Sequence, residues 1–119
     1  MNLKRFYDDL GQDYQTVLER VMGKEDFLDM MLHKFTADST INRLEEAVGR
    51  HEAPEIFNQA HTMKGVAENL GLKPLYDKVS VLVEITRGGS VRGVDEAFAQ
   101  VKQTYAEIIK ALETTNSDQ

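Results

Sequence analysis

The stretch that decides the fold runs from residue 54 to residue 71 and reads PEIFNQAHTMKGVAENLG. Pro54 suits the first turn of a helix, because its missing N–H would have no partner there. Gly71 suits the left-handed position that commonly ends a helix. Between them, apolar residues recur every three or four positions, which predicts an amphipathic helix with one buried side. These residues are Ile56, Ala60, Met63, Ala67 and Leu70.

The same helical spacing recurs along the rest of the chain, and no segment alternates apolar and polar residues over strand length. We predict helices at about residues 3–10, 14–22, 24–37, 40–49, 54–70 and 74–87, and a last one from between 91 and 95 to about 113. Asp38, Ser39 and Thr40 can cap a new helix, although a bend in a continuing helix fits them equally well. The pattern predicts an all-α antiparallel four-helix bundle with one or two additional short N-terminal helices.

The composition fits one globular domain over residues 1–119, with residues 1–22 as a helical cover and residues 114–119 as a frayed tail. The absence of cysteine excludes disulfides, thiolate metal sites and cysteine catalysis. A net charge of −6 without a basic stripe argues against nucleic-acid binding. No apolar run is long enough for a membrane span, and the start lacks a signal-peptide core. We therefore expect a cytoplasmic protein.

His61 lies opposite the centre of the apolar side when the helix is projected at about 100° per residue. Lys64 and Gly65 fall about 60° and 40° to either side of it. Phe57 and Glu68 lie on the same outward side. An outward glycine inside a helix costs about 1 kcal/mol relative to alanine. Because Gly65 gains no packing in return, the pattern favours a functional role for this side of the helix.

These residue types together fit the carriage of a phosphoryl group. A neutral imidazole such as that of His61 is a nucleophile near neutral pH. A phosphoryl group would add about two negative charges, which the Lys64 ammonium one turn away can stabilise. Gly65 removes a side chain that would crowd the ring, and Phe57 offers apolar contact area to a docking protein.

Residues 60–71, AHTMKGVAENLG, resemble the signature of histidine phosphotransfer (HPt) domains, roughly A-H-x-L-K-G-x-A-x-N-x-G. Met63 stands where the family commonly has leucine. The layout of helices and loops from about residue 22 to Leu112 is also similar to that of the family. The N-terminal twenty or so residues are not closely covered by the resemblance.

The resemblance implies that His61 accepts a phosphoryl group from an aspartate of one receiver domain and passes it to another. Lys64 would steady the group and Gly65 would admit the partner. The chain would then be a monomeric phosphocarrier and not an enzyme, with response regulator receivers and a sensor or hybrid histidine kinase as partners. It would need no metal or cofactor of its own, since Mg²⁺ is expected on the receiver.

The partner contacts predicted on this side of the helix are made by Phe57, Asn58, Glu68 and Asn69. Many family members also carry a polar residue, often glutamine, near the histidine on the next helix. This chain has Ser80, Val81, Val83 and Glu84 in that region. The hydrogen-bond partner of the imidazole is therefore left unassigned.

Three other functions remain open at this point. The chain could be the phosphorylatable domain of a chemotaxis-type kinase, or a bundle that binds receivers without carrying phosphate. A metal-binding bundle is disfavoured, because inward Glu-x-x-His pairs and a His-x-x-x-His pair are missing. His33 and His51 are assigned to the surface. The start at Met1 and the length favour a free-standing protein over an excised domain.

Overall fold

A computed structural model describes residues 2–117, with side chains to residue 115, and contains seven α-helices and no strand in that range. The predicted all-α class is therefore confirmed. The helices are α1 (Leu3–Asp9), α2 (Tyr14–Arg20), α3 (Glu25–Ala37), α4 (Thr40–Arg50), α5 (Ala53–Asn69), α6 (Lys73–Arg87) and α7 (Val94–Ser117).

Helices α4 to α7 form the four-helix bundle, because each packs on the next and α7 packs back on α4. Two side-chain contacts show that α5 and α6 run antiparallel. Phe57 near the start of α5 meets Arg87 at the end of α6, and Lys64 farther along α5 meets Tyr76 near the start of α6. All five apolar residues predicted for the buried side of α5 are at most 3% exposed.

The short helices α1 and α2 cover the end of the bundle at which α5 finishes. The Tyr7 hydroxyl donates a hydrogen bond of 2.6 Å to the backbone carbonyl of Leu70. Burial raises the pKa of the Tyr7 phenol well above its usual value, so the hydroxyl remains a donor at neutral and moderately alkaline pH. A hydrogen bond thus joins the N-terminal helix α1 directly to the end of α5.

Gly71 ends α5 in the left-handed conformation that the sequence predicts, with φ +67°. The Leu72 N–H bonds to the Ala67 carbonyl at 2.8 Å, as in a Schellman cap. A Cβ added at residue 71 would lie 2.6 Å from the nearer Cγ of Val17. Both the backbone conformation and the closeness of α2 therefore require glycine here.

The structure shows where the fourth helix begins and ends, which the sequence pattern left open at its start and placed at Gly49 at its end. This helix does not end at Gly49 but continues to Arg50, because His51 takes the left-handed position and the Glu52 N–H bonds to the Ala47 carbonyl. The third and fourth helices are separate, since the Asp38 carboxylate accepts hydrogen bonds from the N–H and hydroxyl of Thr40.

The tail predicted to fray, residues 114–119, is helical as far as Ser117, and Asp118 and Gln119 lie outside the described residues. Thr115 is 5% exposed although it is polar. Helix α1 packs against α7, and Arg5 and Asp9 line one cleft together with Thr114 and Thr115. Contacts with α1 therefore help to keep the last turns of α7 helical.

We expect Tyr7→Phe to lower the free energy of unfolding by about 1–3 kcal/mol, because the buried Leu70 carbonyl would lose its hydrogen-bond donor. Urea denaturation followed by circular dichroism measures the change. Tyr76→Phe is the matched control, since no hydrogen bond of the Tyr76 hydroxyl is found among the described residues. Equal stability losses in the two variants would contradict the assigned role of Tyr7.

Candidate functional site

His61 lies in the middle of α5, and its side chain is exposed as the helical projection predicts. Its neighbour Ala60 is fully buried, and Met63 is 3% exposed. The core contacts of these residues determine how α5 is rotated about its axis. The imidazole therefore points to solvent because the opposite side of the same helix is needed by the core.

Phe57 stacks against His61 from one turn earlier in α5, with ring centroids 5.6 Å apart and planes 29° apart. The Phe57 ring is partly buried and packs against the hydrophobic core. Phe57 thus lies beside His61 on the side of α5 where the projection places it, but it is only partly exposed. The physical reason is the neighbouring helix α6, which covers part of the ring.

Two cations on α5 and α6 lie over aromatic rings. The Lys64 Nζ lies 5.5 Å from the centroid of the Tyr76 ring on α6. The Arg87 guanidinium carbon lies 5.5 Å from the centroid of the Phe57 ring, and an Arg87 nitrogen lies 3.2 Å from a Glu84 oxygen. Sequence reasoning missed Tyr76 and Arg87. In an antiparallel pair, residues at similar distances from the turn at Gly71 face each other, and this rule could have found them.

Gly65 has open space where a side chain would begin. A Cβ added at this residue would meet no atom within 4 Å outside its own helix backbone and chain neighbours. Gly65 is therefore not explained by a close helix contact, unlike Gly71. The space beside His61 is available to another molecule.

The remaining residues assigned to partner contacts, Asn58, Glu68 and Asn69, are all exposed. The Glu68 backbone carbonyl accepts a hydrogen bond from the Arg20 guanidinium of α2. Arg20 and Glu68 line a groove together with Lys73 and Tyr76. The structure thus brings the end of the site-bearing helix into contact with the N-terminal cover.

The imidazole of His61 has no hydrogen-bond partner among the side chains of residues 2–115. Ser80 instead donates to the Tyr76 carbonyl at 2.6 Å, and Glu84 pairs with Arg87. Val83 is buried and Val81 is half-exposed. The four residues in the expected region of α6 therefore supply no hydrogen bond to the ring.

The other two histidines lie away from this site. His33 Nδ1 is 2.8 Å from the backbone oxygen of Asp29, and His51 Nε2 is 3.1 Å from Asp95. Within the described part of the chain, no group of three or more His, Asp and Glu residues could hold a metal ion.

No helix in the same part is long and apolar enough to cross a membrane.

The fold and site together define a four-helix bundle that presents the exposed His61 on α5, stacked on Phe57 and one helical turn from Lys64. The family model described as Hpt domain matches residues 25–111, which is most of the chain and begins with the first residue of α3. The chain therefore belongs to the Hpt domain family, whose members are phosphocarriers of two-component phosphorelays that interact with receiver domains and kinases. No match was found among curated proteins or solved structures.

We expect Gly65→Ala to raise the free energy of unfolding by about 0.5–1 kcal/mol, because alanine restricts the unfolded chain and nothing in the fold opposes its methyl group. Gly49→Ala in α4 is the matched control, since a methyl group added at Gly49 would also enter open space beside a helix. Urea denaturation should show similar gains for both. A loss of stability in Gly65→Ala alone would contradict the open space beside His61.

Proposed function

We propose that this protein is a phosphorelay intermediate in which His61 receives a phosphoryl group from a receiver aspartate and transfers it to another receiver aspartate. The observation that carries the proposal is the exposed His61 on α5, with the Lys64 cation and the open space at Gly65 beside it. The family match, which includes these residues, supports the same chemistry. We propose that it acts in this role as a cytoplasmic monomer.

The transfer step is an in-line displacement at phosphorus. A lone pair on a His61 ring nitrogen forms the N–P bond while the P–O bond to the aspartate breaks. The bonding electron pair leaves on the aspartate carboxylate, and transfer to the next receiver reverses these steps. Such reactions depend mainly on positioning and charge stabilisation, and the Mg²⁺ that supplies part of that charge is expected on the receiver.

Lys64 is suited to stabilise the phosphoryl group on His61. Lys64 lies one helical turn after the histidine and is partly buried, with its Nζ 5.5 Å from the centroid of the Tyr76 ring. A cation–π contact holds the charge near the ring but leaves the ammonium able to donate hydrogen bonds to phosphoryl oxygens. The flexible lysine stem allows the ammonium to follow those oxygens during transfer.

Gly65 is suited to admit the receiver. The incoming aspartyl phosphate must approach the imidazole closely, because reacting atoms need to lie about 3–3.5 Å apart. A side chain at residue 65 would extend into this open space. The cost of a helical glycine is then explained by access to His61.

We expect His61→Gln to abolish labelling when the protein is incubated with a ³²P-labelled phospho-receiver, because glutamine has no nucleophilic ring nitrogen. The label on the wild type should be acid-labile and base-stable, as a phosphoramidate bond is. His33→Gln and His51→Gln are the controls and should label normally. Equal labelling of His61→Gln and the wild type would overturn the proposal. A parallel incubation with a kinase core and ATP tests whether a kinase also serves as donor.

We expect Gly65→Gln to slow transfer from the phospho-receiver by about tenfold or more, equivalent to about 1.4 kcal/mol in activation free energy, through steric exclusion of the partner. Gly49→Gln adds the same side chain to an open helical position of α4 and should transfer at the wild-type rate. Rapid-quench measurements of phospho-receiver decay give both rates. Equal rates for the two variants would exclude the access role of Gly65.

A further inference from the structure

The His61 ring must be held in a defined orientation if its nitrogen is to attack phosphorus in line. Histidines at reactive sites are commonly oriented by a hydrogen bond to the second ring nitrogen. Such a bond is missing for His61 among the side chains of the described residues. The ring contact that the structure shows for His61 is the one with Phe57.

The geometry of α5 brings the two rings together. Phe57 and His61 are four residues apart, and side chains at this spacing lie one above the other on a helix. Helical side chains also lean towards the N-terminus, which directs the His61 ring over Phe57. The centroid distance of 5.6 Å and the interplanar angle of 29° correspond to an offset stack.

The Phe57 ring is itself held in place from two sides. It packs against the hydrophobic core, which restricts its rotation. The Arg87 guanidinium lies 5.5 Å from its centroid, and a Glu84 carboxylate oxygen lies 3.2 Å from an Arg87 nitrogen at the end of α6. The ring that contacts His61 therefore belongs to α5 and has a further contact with Arg87 of α6.

We infer that the stack of Arg87 on Phe57 and Phe57 on His61 fixes the plane of the imidazole in place of a hydrogen bond. Phe57 and Arg87 are then positioning residues for the transfer reaction. The Arg87 cation is held at the Phe57 ring and at Glu84, so its effect on His61 passes through Phe57. This inference rests on the proposed function of His61, but the stack itself can be tested without any phosphoryl transfer.

The first test uses NMR of the unphosphorylated protein. The ring protons of His61 should resonate upfield of those of the exposed His33, because the Phe57 ring shields them. Phe57→Leu should remove the upfield shift, and Phe27→Leu, which changes an exposed phenylalanine of α3, should not. Arg87→Gln should reduce the shift and Arg87→Lys should restore most of it. Identical His61 resonances in the wild type and Phe57→Leu would overturn the inference.

The second test measures phosphorylation of His61 by phosphoramidate, a small donor that needs no protein docking surface. Phe57→Leu and Arg87→Gln should each react about two- to tenfold more slowly, the factor that corresponds to loss of one aromatic or cation–π contact. Arg87→Lys should recover most of the rate. Arg50→Gln is the matched control, because Arg50 pairs with Glu46 in the last turn of α4 as Arg87 pairs with Glu84 in α6.

The outcomes separate the inference from the proposed function. Wild-type rates in both Phe57→Leu and Arg87→Gln would refute the positioning roles while leaving His61 as the acceptor. Failure of the wild type to take up a phosphoryl group on His61 from either phosphoramidate or a phospho-receiver would refute the function instead. The NMR shift would then still report whether the stack exists.

Discussion

Burial of one side of α5 is the constraint on which the site depends. Ile56, Ala60 and Ala67 are completely buried against the neighbouring helices, and together they set the rotation of α5 about its axis. A rotation of α5 by about half a turn would expose this apolar side and bury the His61 imidazole without a hydrogen-bond partner. The same packing that stabilises the bundle therefore presents the histidine to solvent.

The N-terminal helices lie outside the family match but are connected to the site-bearing helix. The last carbonyls of a helix have no partner within it and must be satisfied elsewhere. Tyr7 donates to the Leu70 carbonyl, and Arg20 donates to the Glu68 carbonyl. Helices α1 and α2 thereby complete the end of α5, and they give this chain a surface beside the site that its residues 25–111 alone would lack.

Helix α6 contributes to the site through a ring and a cation. Tyr76 lies under the Lys64 ammonium, and Arg87 lies over the Phe57 ring that stacks on His61. These contacts place one cation over Tyr76 and another over Phe57 in a chain whose net charge is −6. Because each contact joins a side chain of α5 to one of α6, the orientation of Lys64 and Phe57 depends on how the two helices are aligned. The site therefore depends on both helices.

Helical periodicity, proline and glycine positions and the motif at residues 60–71 determined the all-α class, the buried side of α5 and the outward His61. These features are local, and a projection of one helix is enough to read them. Only the tertiary structure decided the partial burial of Phe57, the contacts made by Tyr76 and Arg87, and the helical end of α7. Those features depend on the register and crossing of different helices, which the packing of the whole core determines and no single segment encodes.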